Sequence, residues 1–359
     1  MLFAGDVAVP TAEHSQVLAE VLERYSHLFK NKTLICNYEG LISETLPPAN
    51  EPVLSNHPSV LEILTRRGPL VLGLANNHVL DLPQFFDSSV QIFLSNQIPF
   101  AGAGKSPETA RQHIEFYEDG VKIVLFNACW DFLLYDQDNP KNGIYVNVIN
   151  EIKLVEQISK RRLEESDSII VVFLHWSFDL ETLPFPMYRQ FAMSLIDAGA
   201  SIVVGAHSHC VQGGEKYGNG HIVYGLGNFF MPHGVFAQGK INYPPLAALE
   251  LVLDWDVKTS RVLCHWFEYQ YQEKKHELIY LDTEDFENSV RLNQYSPYRG
   301  MNQAQYLPFY RSNRRKKFLI PVFKDYRNNR RNRFYTFLLK LRARFARSLA
   351  KWNIIKWQN

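Results

Sequence analysis

Short apolar runs recur along the chain, and each runs into a polar residue. Met1-Leu2-Phe3-Ala4 leads into Gly5-Asp6, Thr33-Leu34-Ile35-Cys36 into Asn37-Tyr38-Glu39-Gly40, and the run 70–75 into Asn76-Asn77-His78. The run 169–174 leads into His175-Trp176, Ser201-Ile202-Val203-Val204 into Gly205-Ala206-His207-Ser208-His209, and His221-Ile222-Val223-Tyr224 into Gly225-Leu226-Gly227-Asn228. Runs of this length, bounded by turn residues, predict strands buried on both faces. Between them, apolar positions at helical spacing predict helices over 13–29, 58–67, 83–96, 150–165 and 186–198, with Gly199 just past the last. Residues 114–129, split by Glu118-Asp119-Gly120, predict a hairpin, and 246–254 with 261–269 predict a second strand pair. The mixture points to an α/β protein with two stacked sheets flanked by helices.

After about Asp282 the pattern weakens. The chain divides into a domain over 1–282, a polar connector over 283–332 and a basic amphipathic helix over 333–359. In that helix Phe334, Leu338, Leu341, Phe345, Leu349 and Trp352 recur every three or four residues, with Lys340, Arg344, Arg347 and Lys351 on the other side. Two readings fit: a helix lying on an anionic membrane surface, or a terminal helix packed back on its own domain with a solvated basic face.

Net charge sharpens this division. The total is only +1, yet sixteen Lys/Arg and one acidic residue, Asp325, lie from Arg311 onward, which leaves 22 basic and 36 acidic residues before it. Nucleic-acid binding ranks below both readings of the tail, because no recognition motif accompanies the charge. Cys36, Cys129, Cys210 and Cys264 form no CxxC pair and suggest neither a zinc ribbon nor a disulfide scaffold. Cys210, beside His209, is a candidate soft ligand, although a packed thiol suits it better. No apolar stretch reaches the roughly 18–20 residues of a membrane span, and a strand-like segment stands where a signal peptide would lie. The expected location is cytoplasmic, peripheral at the inner membrane face.

The polar residues at the strand ends carry the candidate chemistry. In open α/β sheets, sites gather where strands end, and Asp6, Glu39, Asn77, His78, His175, His207 and His209 share that phase. Carboxylates, an amide oxygen and imidazoles suit Mn²⁺, Fe²⁺ or Zn²⁺, with too few carboxylates for a dedicated Ca²⁺ site. A carboxylate can bridge two such ions for hydrolysis, and His78, oriented by Asp81, can serve a leaving oxygen. The small Gly205-Ala206 pair lets backbone approach an ion closely. Each residue alone also fits a plain structural role: Asp6 as a cap, Asn77 in a turn, Glu39 on the surface, His175 in the core. Their common phase favours one site.

These landmarks, with Gly102-Ala103-Gly104 and Asp197-Ala198-Gly199-Ala200, cover about residues 1–235. In their order and spacing the sequence resembles the bacterial CapA family of capsule-synthesis proteins, named for poly-γ-glutamate capsules, whose domain is similar to calcineurin-like metallophosphoesterases. The resemblance implies a four-layer αββα sandwich and a site for two divalent ions (Mn, Fe or Zn). Asp6 and His209 would hold one ion, Asn77, His175 and His207 the other, and Glu39 would bridge them. His78 and Asp81 would be catalytic, and Asn228 would line the substrate pocket. The implied activity is a metal-dependent hydrolase of phosphoesterase type in capsule, poly-γ-glutamate or exopolysaccharide biosynthesis. Its partner would be a cell-surface polymer or its phosphorylated precursor. The alternative is a non-catalytic assembly or export factor that keeps the fold.

The sequence departs from the family pattern in four places. Ala8 stands where a histidine ligand is usual, so one ion is expected to be weakly held or absent. Ser177 replaces a glycine after His175-Trp176, although Asp179 keeps the acid of that motif, and Ser208 replaces a frequent proline. The N-terminal membrane anchor common in the family is not expected here, and the basic helix is a candidate substitute. The loops 43–55, 131–142 and 233–245 are expected to rim the site.

Overall fold

The computed structural model describes residues 1–46, 52–134, 140, 142–316 and 321–351. The loops 43–55 and 131–142 lie partly outside this range, as do Trp352 and the remainder of the expected tail helix to residue 359.

The predicted runs form two large sheets. The first holds β1 (Leu2–Val7), β2 (Leu34–Tyr38), β3 (Leu70–Gly73) and β4 (Phe100–Ala101). The second is built from β5 (Ile114–Glu118), β6 (Val121–Cys129), β7 (Ile169–His175), β8 (Ile202–Ala206), β9 (Val211–Tyr217) and β10 (Gly220–Leu226). The chain then returns to the first sheet with β11 (Asn228–Phe230), β12 (Leu249–Trp255), β13 (Val262–Gln272) and β14 (Lys275–Asp285). The strand orders are β14-β13-β12-β1-β2-β3-β4, with β11 also paired to β1, and β9-β10-β8-β7-β6-β5. Strands β1 to β4 are parallel, as are β6, β7, β8 and β10. Their C-terminal ends therefore open on one edge.

Three apolar cores hold the layers together. Phe3, Ile35, Val71, Leu125, Val171, Phe173, Val204 and Leu253 pack between the sheets. Helices α1 (Ala12–Arg24), α2 (Ser59–Thr65) and α3 (Phe86–Ser95) cover the outer face of the first sheet through Leu18, Val60 and Phe93. Helices α4 (Glu151–Glu164) and α5 (Pro186–Asp197) cover the second through Ile158, Phe191 and Leu195. Each fully buried aliphatic or aromatic side chain contributes about 1.5–3 kcal/mol, and strands buried on both faces explain the continuous apolar runs. The fold is the expected four-layer αββα sandwich. All four cysteines are free and buried, and burial pushes the Cys210 thiol up to about 12, which suits a packed thiol rather than a ligand. Among the described residues no helix is long and apolar enough to cross a membrane.

The region expected to be a connector differs from that expectation. Strand β14 runs on to Asp285, and α6 (Gln303–Asn313) packs on the outer face of the second sheet. Its composition reads as polar, yet Tyr298, Tyr306 and Tyr310 are fully buried. Arg189 on α5 makes a bidentate pair with Glu215 (2.7 and 2.8 Å) and also donates to the carbonyl of Met301 (2.8 Å). The rings of Tyr298 and Tyr306 lie against its guanidinium. Tyrosine buries its ring while its hydroxyl finds a carbonyl, as Tyr298 does on Gln212 (2.7 Å).

The tail helix α7 (Asn329–Lys351) packs back on the domain, but with an unexpected face. Leu339 is buried and Lys340 Nζ pairs with Asp131 (2.9 Å). The apolar stripe Phe334, Leu338, Leu341 and Phe345 is exposed, and Phe337 beside it is too. The face toward the domain reads through Leu339, Ala343 and Ala346, which line the cavity described below.

Candidate metal centre

Strand register assembles the site. Asp6 sits at a register shift near the end of β1, paired with Asn37 of β2 on one side and Asn228 of β11 on the other. A bulge there re-aims the side chain. Gly5 permits the approach, since a Cβ on it would stand 1.9 Å from the Gly227 carbonyl oxygen. His175 ends β7 in register with Ala206 of β8, and the chain turns immediately through His207 and His209.

That turn is strained. His207 has φ 88°, His209 has φ 53°, and Ser177, where glycine was expected, has φ 78°. Left-handed backbone in non-glycine residues costs energy and clusters at functional sites. Ser177 thus keeps the turn that glycine would make, and its hydroxyl accepts from Gln212 Nε2 (3.2 Å). Gly205 has another purpose than the expected approach to an ion. A Cβ there would fall 2.0 Å from the Tyr224 oxygen and 2.4 Å from Trp176 Nε1, against the Trp176-to-Tyr224 hydrogen bond of 2.9 Å.

The carboxylates and imidazoles form two adjoining triads. Asp6, Glu39 and His175 are fully buried, and Asp179, His207 and His209 lie beside the cavity. His175 Nε2 stands 3.5 Å from Glu39 and 2.8 Å from Asn77 Oδ1, and His209 Nδ1 stands 3.3 Å from Asp6. His207 Nε2 pairs with Asp179 at 2.8 Å. His207 and His209, expected on different ions, share a triad here, and Asp179 joins them. Asn228, expected to line the pocket, is buried behind it, 2.9 Å from His209 Nδ1. Asn37 had no expected role, yet its Nδ2 donates to Asp6 (2.7 Å) and Glu39 (3.0 Å) and lies 3.0 Å from His175 Nδ1. Its position two residues before Glu39 in the same strand end was the available signal.

The charges are tuned by burial and by one another. Burial, then Asp6, push the Glu39 carboxyl up to about 7, against the pull of His78 and His209. Burial opposes the His209 imidazolium, but its hydrogen bond with Asp6 and the charges of Asp6, Glu39 and Asp179 carry it up to about 10. Burial and the other histidines keep His175 neutral. For Asp179, His207, His209 and Lys316 overcome desolvation and hold the acid below its ordinary value.

The donor set fits divalent ions. Glu39 Oε2 and His207 Nδ1 are buried without a hydrogen-bond partner among the described residues. Buried polar atoms seldom go unpaired, and a cation among carboxylates and imidazoles would satisfy both. Against that fit, Ala8 lies in an apolar cluster with Leu54, Met231 and Phe236, a setting that offers no ligand atom from its own side chain.

Beside the triads His78 Nδ1 donates to Asp81 Oδ2 (2.6 Å), which also accepts the amide N–H of Leu54 (2.9 Å). Burial works against the His78 imidazolium, but Asp81 and Glu39 outweigh it and raise its pKa. The cavity is about 350 Å³, and Asn77, His78, Asp179, His207 and His209 line it. Leu54, Phe132 and Tyr243 bring all three expected rim loops to it, and Tyr243 packs on His209 with centroids 4.9 Å apart.

Residues 1–233 match the model of the bacterial capsule synthesis protein family PGA_cap. The chain belongs to this family. The chain is similar to the capsule biosynthesis protein CapA of Bacillus anthracis, 28% identical over 192 residues, which cover 52% of this chain and 44% of that protein. The PGA biosynthesis protein CapA of Bacillus subtilis is 30% identical over 188 residues, covering 52% and 47%. The matched region thus spans about half the length of these curated relatives. Among solved structures, a 5'-nucleotidase precursor from Thermus thermophilus aligns with TM-score 0.36 at 13% identity, covering 82% of this chain and 58% of that one. Vps29 of Chaetomium thermophilum aligns with TM-score 0.29 at 8% identity, covering 80% and 94%. The PGA_cap match ends before Tyr243, Lys316 and α7, all of which contribute to the cavity.

Proposed function

We propose that the chain is a metal-dependent hydrolase of phosphoesterase type acting in the biosynthesis of a capsule or related cell-surface polymer. The observation that carries this is the convergence of three imidazoles and three carboxylates in two adjoining triads, one of them at the cavity, with Glu39 Oε2 and His207 Nδ1 lacking a hydrogen-bond partner among the described residues. Asp6, Glu39, Asn77, His175, His207 and His209, with Asp179, would hold the ions. Divalent ions held there supply Lewis-acid polarisation of a phosphoryl oxygen and acidify water. Asp81 fixes the ring of His78 with Nδ1 protonated, which leaves Nε2 to hold a proton for the leaving oxygen. Asn37 keeps Asp6 and Glu39 apart by donating to both. The test is turnover of phenyl phosphate and bis(p-nitrophenyl) phosphate by protein supplied with Mn²⁺, beside a His175→Ala/His207→Ala double variant. Turnover lost in the variant supports hydrolysis. Equal rates in both, or none in either, contradict it.

A second reading, a non-catalytic assembly or export factor, draws on Ala8, whose apolar packing removes one ligand. Complementation of a capsule-deficient strain decides between them: restoration by the double variant favours the assembly factor.

We also infer that the protein rests on an anionic membrane through the outer face of α7. Five of its large apolar side chains are exposed together, and residues 329–351 carry eight basic residues and no acid. Apolar insertion with basic flanks matches an anionic bilayer. Sedimentation with phosphatidylglycerol vesicles tests it. Binding by the full chain, lost in a Phe337→Ser/Leu341→Ser variant, supports the inference, and equal partitioning of the two removes it.

A further inference from the structure

The cavity lining comes from two parts of the chain with opposite charge. The part within residues 1–233 supplies the acid and imidazole cluster, with Asp179, His207 and His209 at the cavity. The part beyond supplies Tyr243, Lys316, Leu339 and Arg342. The aromatic side chains of Phe132 and Phe178, with ring centroids 5.6 Å apart, line the same cavity.

The chain at both positions is anchored, at Lys316 through its backbone and at Arg342 through its neighbours on α7. The carboxylate of Glu181, fully buried, accepts the backbone N–H groups of Arg315 (3.2 Å) and Lys316 (2.9 Å). Arg342 follows the Leu339 and Lys340 anchors of α7 by less than one turn. Neither Arg342 nor Lys316 has an acidic hydrogen-bond partner among the described residues. The carboxylate of this cavity, Asp179, hydrogen-bonds His207 and feels Lys316 only through space. Arginine and lysine without a carboxylate hydrogen bond at a partly apolar cavity suit an incoming anion, arginine by its bidentate fork.

We propose that Arg342 and Lys316 form a second anion-binding subsite, so that the cavity takes a substrate with two anionic groups. One, a phosphoryl group, lies at the metal cluster. The other, a carboxylate or phosphate, lies at Arg342 and Lys316, and the spacer between them packs on Phe132 and Phe178. The assignment of the first group rests on the hydrolase proposal. The second rests on the two cations. Because this subsite lies beyond the family match, it would set this chain's substrate apart from those of relatives sharing only residues 1–233.

The test compares benzylphosphonate with 4-(phosphonomethyl)benzoate by calorimetry on the full chain with Mn²⁺, in wild type, Arg342→Gln and Lys316→Gln. Both positions are at least partly exposed, so the variants should fold. The expected result is about tenfold tighter binding of the carboxylated ligand by wild type, a ratio that falls to about two or less in Arg342→Gln. Equal wild-type affinities, or a ratio unchanged in both variants, overturn the subsite. A carboxylate preference without turnover of phenyl phosphate supports the subsite and sinks the hydrolase. Turnover without the preference does the reverse. Binding of neither phosphonate overturns both.

Discussion

Replacing Glu39 by glutamine should stabilise the metal-free protein at alkaline pH and weaken its response to metal. Folding raises this carboxyl from 4.5 to about 7, chiefly by burial and by Asp6. The folded chain therefore binds the Glu39 proton more tightly than the unfolded chain. Stability falls as pH climbs from 4.5 through about 7 and is level above. At about 1.4 kcal/mol per pKa unit, the ionised carboxylate costs about 3 kcal/mol at pH 8. An uncharged amide escapes that cost but leaves a buried donor unpaired where Glu39 Oε2 stands, at about 1 kcal/mol. Glu39→Gln should thus be about 2 kcal/mol more stable than wild type at pH 8 in EDTA, with little difference at pH 4.5. Mn²⁺ at a hundredfold over its dissociation constant should add about 2.7 kcal/mol to wild type and well under about 1 kcal/mol to the variant. Urea unfolding at both pH values, with EDTA or Mn²⁺, measures all of these terms. A variant less stable than wild type at pH 8 in EDTA, or one that gains equally from Mn²⁺, would refute the reasoning.

Three further outcomes follow from the same geometry. Metal binding should release about two protons near pH 6, from Glu39 and His209, and about one near pH 8.5, where Glu39 is already ionised and His209, at about 10, is not; calorimetry in buffers of different ionisation enthalpy counts them, and a constant number contradicts the assignment. Gly205→Ala should cost about 3 kcal/mol or more in urea unfolding, since its Cβ would collide with the Tyr224 carbonyl and the Trp176 indole in a close-packed layer. Arg189→Met should cost about 3–5 kcal/mol by leaving Glu215 buried and unpaired, and limited proteolysis should then cut the segment 298–313 first.

The sheets were legible because strands buried on both faces write unbroken apolar runs, and parallel strands bring the residues that follow them to one edge. That is why Asp6, Glu39, Asn77, His175, His207 and His209 were found as a set. Asp179 and Asn37 were harder, since an acid in a turn and an amide in a strand end carry no period. The position of Asn228 behind His209 comes from register, invisible in one sequence, which pairs it with Asp6. The tyrosines at 298, 306 and 310 misled through polarity: their hydroxyls are satisfied inside the core. In α7 the strong apolar stripe drew attention from the Leu339–Ala343–Ala346 face, whose small residues say nothing of the cavity they close.

On the proposed function, this strand edge holds divalent ions through Asp6, Glu39 and the three histidines. Titration of the metal-free full chain with Mn²⁺, followed by electron paramagnetic resonance, tests it most directly. The account predicts loss of the free Mn²⁺ signal with roughly micromolar affinity, abolished in His175→Ala/His207→Ala. A free-ion signal that grows in strict proportion to added Mn²⁺ from the first addition would contradict it.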